Sequence, residues 1–390
     1  MNFFKDKIFF LILPLLIVFF MQGILNLPVL DRDEARFATA SKTMLESKDF
    51  IDIKMQEETR YKKPIGIYWT QVLSNYILGT PPYDKIWVYR IPSLLGIMIS
   101  LLLIYKFLSS IYSRDVGLLS VFFLTLSFLT ISEIHQAKTD GMLFLFITIC
   151  NIFTIKAILE GNLKKPLRLI YWTSMAFGIL VKGPIILIFT ILPLIFLSII
   201  QKKNFFSLIW TKTGFLMFLF ISIPWFILIS IKSNGLFWHE SLINDLFNKV
   251  KAGQESHGFI PGYYTILIFL FFWPGSIFIP SLFLNIKKKF KEFFFENDVN
   301  CFLILCFLIP FILYEIIPTK LPHYIYPSYA ALSILISKEI IFRNFSPNLL
   351  NYAFLPTIIF PLTILTIITL AIYEYSSFDI FFFLIVVILL

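Results

Sequence analysis

Charged residues are scarce in this sequence, and their scarcity excludes a soluble globular protein. Of its 390 residues only 15% are charged and 58% are hydrophobic, and the mean hydropathy is +0.83. A soluble domain carries roughly a quarter charged residues. The apolar runs are about 20 residues long, twice the roughly 10 of a barrel strand, so they predict membrane-spanning helices. We therefore expect an all-α, multi-pass integral membrane protein.

Cysteine and the common active-site motifs are also scarce or absent. The three cysteines, Cys150, Cys301 and Cys306, lie in apolar runs without C-x-x-C spacing. Such thiols act as small hydrophobic residues, so we expect neither a disulfide framework nor a zinc site. Walker, G-x-G-x-x-G, H-E-x-x-H and G-x-S-x-G patterns do not occur. Their absence removes the sequence signatures of nucleotide, zinc-protease and serine-hydrolase sites.

What the sequence does contain is a series of apolar runs that predicts about twelve membrane spans. The run 169–181 is short and stops at Lys182-Gly183-Pro184, as half of a broken helix would. The last run has about 13 residues, too few to span, so we expect a longer natural protein or a truncated gene product. The first run lacks a cleavage site and resembles an anchor. The runs are 8–27, 88–108, 116–132, 141–158, 169–181, 184–200, 213–231, 263–284, 300–317, 324–341, 351–373 and 378–390.

The loops rich in lysine and arginine predict how the chain is oriented. They lie at 106–114, 164–168, 202–212, 287–291 and Arg343 and alternate consistently with the basic N-terminus, so we assign them to the cytoplasm. The net charge of +9 is thus a topology signal, and no nucleic-acid partner is expected. Most of the residues whose side chains could serve in catalysis or ligand binding lie on the opposite side, which predicts a site at the outer membrane surface. They are Asp33, Glu34, Lys63, His135, Asp140, Lys182, His239, His257, Lys320 and His323.

The first outer loop, residues 28–87, contains the longest polar stretch before residue 200. Asp31 and Glu34 have the D-x-x-E spacing of a capping box. An apolar stripe at helical spacing follows, and it comprises Phe37, Ala40, Met44 and Leu45. We therefore predict a short helix along the membrane surface, with a second such helix over 65–79.

Each acidic candidate also has an ordinary structural explanation. Asp33 and Glu34 suit the start of a helix, where the dipole favours carboxylates and Arg32 or Arg36 would pair with them. Asp140 could equally be an N-cap, and His257 a plain loop residue. A catalytic role for the carboxylates gains support because the outer side presents them more than once.

The outer-side lysines are harder to explain structurally. Lys62 and Lys63 could snorkel at the membrane edge, but positive charge on this side opposes the orientation rule. Lys182 interrupts apolar sequence and needs a partner, either a carboxylate or a bound anion. Lys320 repeats the pattern in TKLPHY. Several lysines converging at one surface suit a lipid phosphate or diphosphate.

These motifs together resemble those of a known enzyme family. The segments DRDEARFATASKTMLESKDF and YKKPIGIYW resemble, in order and spacing, the polyprenyl-phosphate-dependent GT-C glycosyltransferases, specifically the aminoarabinose transferases of lipid A and the protein O-mannosyltransferases. Asp140 at the start of a span, the break after Lys182, HGFIPGYY at 257–264 and KLPHY at 320–324 agree with the same family. The resemblance covers about residues 8–342.

The resemblance implies a GT-C bundle and transfer of a sugar, with inversion, from a polyprenyl-phosphate donor to a lipid A-like lipid or a protein acceptor. The site would face the outside of a bacterial inner membrane. It implies catalytic roles for Asp33, Glu34 and Asp140. It implies that the donor phosphate is bound by Arg36, Lys63, Lys182 and Lys320. Contacts to the substrate would come from His257, Tyr264 and Tyr324.

Three departures from the family pattern accompany the resemblance. Phe37 replaces a tyrosine of the aminoarabinose enzymes, so any hydroxyl contact there is lost. Lys62 replaces an acidic residue, which weakens the argument for a metal at that point; we predict no metal ligands and leave a divalent metal open as a cofactor. The chain, 1–390, forms a single transmembrane domain in this interpretation, with a second outer loop at 232–262 for the acceptor and without the family's outer C-terminal domain.

Two hypotheses from other classes remain. A carrier or flippase for lipid-linked sugars would also need outer lysines and an apolar groove, although it predicts matching charges in two sequence halves, which we do not find. A truncated, inactive remnant of the enzyme is the other. Among enzymes, an O-antigen ligase or polymerase fits the DEAR and KKP pair less well.

Overall fold

The computed structural model describes residues 14–18, 20–21, 23–247 and 261–343 and is mostly helical. One antiparallel hairpin, Lys54–Met55 with Glu58–Thr59, accompanies the helices. We number the α-helices α1 (Arg32–Ser47), α2 (Gly66–Leu78), α3 (Ile86–Ile111), α4 (Arg114–Leu126), α5 (Phe128–Ile134), α6 (Asp140–Glu160), α7 (Lys165–Lys182), α8 (Ile185–Phe189), α9 (Ile191–Gln201), α10 (Phe206–Ile209), α11 (Lys212–Lys232), α12 (Leu236–Trp238), α13 (Tyr263–Phe271), α14 (Ile279–Lys288), α15 (Asp298–Ile316) and α16 (Tyr329–Arg343).

Five helical segments of the described part are long and apolar enough to cross a membrane: α3, α6, α11, α15 and Pro322–Phe342. Two further pairs qualify together, α4 with α5, bent by 67°, and Tyr263–Phe271 with Gly275–Lys288, bent by 119°. The described part therefore has five to seven candidate spans. The runs 351–373 and 378–390 and part of 8–27 lie outside the described residues, so the count of twelve stays a prediction.

The predicted break after Lys182 is confirmed. Helix α7 ends at Lys182, Gly183 has φ +68°, and α8 begins after Pro184. Glycine suits this positive φ because it has no Cβ to clash with the backbone. Because the helix ends at this break, the Lys182 side chain lies at the end of α7, beside the start of α6.

The predicted short helix after residue 31 is also confirmed. Asp31 is its N-cap and accepts a hydrogen bond from the Asp33 amide at 3.3 Å. The capping box does not close as expected, because Glu34 accepts from the Leu30 amide, one residue before the cap, at 2.8 Å. Of the predicted stripe, Phe37, Ala40 and Met44 are buried and Leu45 is half-buried. Its position along a membrane surface stays a prediction, and so does that of α2.

Two glycines bring α3 and the start of α6 into close contact. A Cβ on Gly96 would lie 2.5 Å from the carbonyl oxygen of Gly141, and one on Gly141 would lie 2.7 Å from Cα of Ser93. No Cβ fits at these distances, so the two backbones touch directly. This contact fixes the position of Asp140, the residue before Gly141.

A second packed region joins the first outer loop to the segment after α11. Phe237 contacts Tyr61 and Trp225, with ring centroids 6.0 and 5.1 Å apart. The indole Nε1 of Trp225 donates to the Ile51 carbonyl at 3.1 Å. Lys232 and Asp49 form an ion pair nearby. These contacts hold a helical segment with wider, π-type turns, His239–Phe247, against the first outer loop.

Candidate active site

A cavity of about 530 Å³ opens between the first outer loop, the start of α6, the break after α7, the segment His239–Phe247 and the end of α15. Its lining combines charged and apolar side chains. The charged residues are Asp33, Arg60, Lys62, Lys63, Lys138, Asp140, Lys182 and Asp245, and His323 and Tyr324 add polar rings. These groups come from helix ends and loops that are far apart in the sequence, so the site forms only when the chain is folded.

Asp33 projects from the first turn of α1 to the cavity and faces two guanidinium groups. Its Oδ1 lies 3.2 Å from Nη1 of Arg36 and 3.7 Å from Nη2 of Arg60. Partial burial raises the pKa of Asp33, but the Arg36 hydrogen bond and the charges of Arg60 and Lys138 outweigh it and hold that pKa below the usual range. Asp33 is therefore a stable carboxylate at neutral pH.

Arg60 is the second residue of this end of the cavity, and the sequence analysis did not single it out. Its Cζ lies 5.5 Å from the ring centroid of Phe37. Its Nε is buried and, among the described residues, finds no hydrogen-bond partner. A buried donor of this kind costs free energy unless a partner satisfies it, so the position suits an oxygen of a bound molecule.

Lys182 has the carboxylate partner that the sequence analysis required. Its Nζ donates to Oδ1 of Asp140 at 2.5 Å, and both side chains are buried. The other oxygen of Asp140 accepts from the Thr139 hydroxyl at 3.1 Å. The Tyr324 ring centroid lies 5.7 Å from the Lys182 Nζ. The structure thus brings together three of the predicted site residues.

Lys63 meets a carboxylate that the sequence did not indicate. It forms an ion pair with Asp245, 182 positions away in the segment His239–Phe247. The side chain of Asp245 is 5% exposed and that of Lys63 is 22% exposed. No local sequence pattern marks Asp245 as a partner of Lys63, because the two meet only where the segment His239–Phe247 packs against the first outer loop.

Lys138 is a further cation at the cavity and pairs with Asp31, the N-cap of α1. Burial lowers its pKa, but Glu133, Asp31 and Asp140 outweigh this effect and raise it above the usual value. Lys138 lies two residues before Asp140 in HQAKTD. It is another lysine on the side where the orientation rule disfavours positive charge, and that signal could have identified it.

Glu34 does not line the cavity. It is fully buried, and its carboxylate meets Arg90 at 2.8 Å and 3.2 Å. It also accepts from the amides of Leu30, at 2.8 Å, and Ala137, at 3.0 Å. Arg90 in turn donates to the carbonyls of three residues before α1: Ile24, Leu27 and Pro28. This pair joins the start of α1, helix α3 and the loop that bears Lys138.

Lys320 and Tyr264 also lie away from the cavity lining. The Nζ of Lys320 donates to the carbonyls of Tyr314, Glu315 and Ile317 at 3.0, 2.5 and 3.1 Å, so it caps the C-terminus of α15. The Tyr264 hydroxyl bonds to the backbone of Leu321. Both contacts fix the chain that leads to His323 and Tyr324, which do line the cavity.

The remaining predicted residues differ in where they lie. Arg36 contacts Asp33 but is not part of the lining, whereas Tyr324 is. His257 lies outside the described residues. In the described part of the chain no group of three or more His, Cys, Asp and Glu side chains is arranged to hold a metal ion. The carboxylates that line the cavity each pair with a cation, so this donor set does not fit a divalent metal.

Part of the chain matches a protein family model, and most of it resembles curated proteins. Residues 62–228 match the family model of dolichyl-phosphate-mannose-protein mannosyltransferases. An undecaprenyl phosphate-alpha-4-amino-4-deoxy-L-arabinose arabinosyl transferase of Proteus mirabilis is 25% identical over 315 residues, which are 78% of this chain and 54% of that protein. An uncharacterized protein of Aquifex aeolicus is 29% identical over 332 residues, 85% of this chain and 72% of that protein.

Two solved structures share the fold of this chain. The crystal structure of ArnT from Cupriavidus metallidurans bound to undecaprenyl phosphate matches 90% of this chain and 62% of its own, with a TM-score of 0.78 and 18% identity. The archaeal oligosaccharyltransferase AglB from Archaeoglobus fulgidus matches 92% of this chain and 55% of its own, with a TM-score of 0.55 and 11% identity. The chain spans about half the length of the curated aminoarabinose transferases that it matches. Together, these sequence matches and the similar helical fold support a glycosyltransferase of the GT-C family.

Proposed function

We propose that the chain transfers a sugar from a polyprenyl-phosphate donor to a lipid or other acceptor. The observation that carries this proposal is the cavity lining, in which five cations and three carboxylates lie beside an apolar wall. A donor of this class has the same two parts, a charged phosphate and a long hydrocarbon chain. The similarity to undecaprenyl phosphate-aminoarabinose transferases supports the same donor class.

The charge of the lining suits the departure of a phosphate. The lining cations exceed the carboxylates by two charges: Arg60, Lys62, Lys63, Lys138 and Lys182 against Asp33, Asp140 and Asp245. A sugar-bearing phosphodiester carries one negative charge, and it gains a second as the bond between the anomeric carbon and the phosphate oxygen breaks. Fixed cations that stabilise this developing charge lower the barrier. We assign the phosphate contacts to Lys63 and Lys182, with Tyr324 beside them.

The apolar wall offers a place for the prenyl chain. Ile185 and Ile188 come from α8, and Leu313, Ile316 and Ile317 come from the end of α15. The break at Gly183 places this wall next to Lys182. A prenyl chain buried here would gain about 25 cal/mol for each Å² of apolar surface removed from water.

Asp33 is our proposed catalytic carboxylate. In this scheme the acceptor hydroxyl donates a hydrogen bond to Asp33. The hydroxyl oxygen attacks the anomeric carbon, and the hydroxyl proton passes to the carboxylate of Asp33. The electron pair of the broken bond leaves with the phosphate, and one displacement inverts the anomeric carbon. The carboxylate stays ionised because Arg36 and Arg60 lower its pKa, so it is ready to accept at neutral pH.

The other predicted residues receive supporting roles. We propose that Arg36 orients Asp33, that Asp140 orients Lys182, and that Glu34 and Lys320 hold the backbone around the cavity. Tyr264 would hold the turn before His323. For His257 we retain the predicted substrate contact. The charge of the loops favours a cavity that faces the outside of a bacterial inner membrane.

The test measures release of polyprenyl phosphate by the purified chain in lipid nanodiscs, with radiolabelled polyprenyl-phosphate sugars as donors and with membrane lipids and peptides as acceptors. We expect Asp33→Asn to lower turnover about 10²- to 10⁴-fold, because general-base assistance is lost. The matched control is Asp84→Asn, which alters an ion-paired aspartate outside the cavity. Near-normal turnover by Asp33→Asn would remove Asp33 from the chemistry. Donor binding without release for any acceptor would favour a carrier.

A further inference from the structure

Lys63 already has a carboxylate partner, Asp245, and a phosphate that binds Lys63 must compete with it. Its ammonium group is ion-paired with Asp245, and the carboxylate is almost completely buried. Both residues line the cavity. A phosphate that reaches Lys63 therefore meets a competing anion on the opposite wall.

The two lysine–aspartate pairs of the cavity differ in how firmly the aspartate is held. Asp140 begins α6, whose next residue, Gly141, packs directly against Ser93 of α3. Asp245 instead lies near the end of the segment His239–Phe247, whose cavity side also bears Ser241 and Leu242. The helix before that segment, α12, contains Phe237, which packs with Tyr61 and Trp225. Asp245 thus lies on a segment that packs against a loop, whereas Asp140 is placed by a direct contact between two helix backbones.

We propose that Asp245 is a resident counter-ion of the donor-phosphate subsite, displaced when the phosphate binds and returned when polyprenyl phosphate leaves. This inference rests on the proposed function. A lysine without a counter-ion in a partly buried cavity costs free energy, because its charge is not compensated. Without Asp245, Lys63 would therefore hold the dianionic product strongly. The return of Asp245 to Lys63 offsets that cost and speeds product release. Asp245 is therefore a residue that sets affinity and release, not one that touches the reacting atoms.

The probe for the test is farnesyl phosphate, with farnesol as the comparison that lacks the phosphate, each titrated onto the full chain in nanodiscs. We expect Asp245→Asn to bind farnesyl phosphate about three- to tenfold more tightly than the wild type and to release it more slowly, because a competing anion is removed. Farnesol binding should not change. Asp245→Ser is the second variant, and size-exclusion and thermal unfolding verify that each variant folds.

The matched control is Asp84→Asn, since Asp84 also pairs with a lysine, Lys42, but lies outside the cavity lining. Its affinity for farnesyl phosphate should equal that of the wild type. A double-mutant cycle adds a specific test. In a Lys63→Met background, Asp245→Asn should no longer tighten binding.

Failure of this inference differs from failure of the proposed function. If phosphate adds affinity over farnesol and Lys63→Met removes that gain, but folded Asp245→Asn and Asp245→Ser bind no more tightly, the counter-ion role is wrong and the donor site stands. If farnesyl phosphate binds the wild type no better than farnesol, the donor-phosphate site itself is wrong and the inference falls with it.

Discussion

At the scale of single residues, the chemistry centres on how Asp33 is kept ionised. Its carboxylate is shared between Arg36 and Arg60, and Lys138 adds a third positive charge. Each cation favours the charged form and lowers the pKa. The group therefore loses its proton-accepting ability only when the pH falls below its depressed pKa.

This arrangement predicts the direction of a pH shift. Arg60→Gln removes one positive charge beside Asp33, so the pKa of Asp33 should rise and the acidic limb of the kcat/KM profile should move to higher pH. The measurement is the pH profile of polyprenyl-phosphate release. Arg32→Gln, a charge loss on the exposed side of the same helix turn, should leave the limb where it is. An unmoved limb in Arg60→Gln would show that Asp33 does not set it.

At the scale of elements, the Glu34–Arg90 pair is the main junction. It is completely buried and joins α1 to α3, and its partners include the amide of Ala137 and three backbone carbonyls. Removing one member of such a pair leaves the other charge buried without compensation. The pair therefore matters for stability even though neither residue lines the cavity.

Arg90→Met should destabilise the protein by about 3–5 kcal/mol. The measurement is chemical or thermal unfolding in detergent. Lys42→Met is the matched control, because it removes an ion pair with Asp84 that is exposed, and such pairs contribute about 0–1 kcal/mol. Equal stability of Arg90→Met and Lys42→Met would contradict the junction role of the buried pair.

The contact between α3 and α6 leads to a second prediction at this scale. Gly141→Ala forces a Cβ to within 2.7 Å of Ser93, so the start of α6 must move and carry Asp140 away from Lys182. Transfer per folded molecule should fall. Gly161→Ala, at the other end of α6, meets no atom within 4 Å and costs only backbone strain at φ +67°, about 1 kcal/mol. It should keep full turnover, and equal turnover of the two variants would be the contrary result.

The elements also show which features could be predicted from sequence. Apolar periodicity predicted α1, the segment 65–79 was predicted as a second short helix, and Gly183-Pro184 predicted the break after Lys182, because these signals are local. For Lys182 the sequence predicted either a carboxylate or a bound anion as its partner, and the partner is the carboxylate of Asp140. The partners of Glu34 and Lys63 are 56 and 182 positions away, so only the packing of helices reveals them. Periodicity shows that a helix exists but not which helix lies beside it.

At the scale of the whole molecule, the outer surface is apolar where lipid would lie. Tyr76, for example, is 80% exposed, and Phe220 and Ile231 are similarly exposed on α11. The three cysteines, in contrast, are buried. The chain thus offers a low background for thiol labelling from either side of a membrane.

That background allows the orientation to be tested. Glu57→Cys, in the turn of the outer hairpin, should react with a membrane-impermeant maleimide on intact cells. Lys288→Cys, at the end of α14, should react only after the membrane is permeabilised. Both positions are exposed, so access alone separates them. The wild type is the unlabelled reference, and the reverse pattern would place the cavity on the cytoplasmic side.

The pairing of the cavity lysines has a consequence for the anions that the site ignores. Lys63 and Lys182 already hold carboxylates, so a small hydrophilic ion such as inorganic phosphate would exchange one partner for another with little gain. A ligand that also buries hydrocarbon against Ile185, Ile188 and Leu313 gains free energy from a second source. The site would thereby select phosphates that carry a hydrophobic chain, and water-soluble phosphates would not inhibit it.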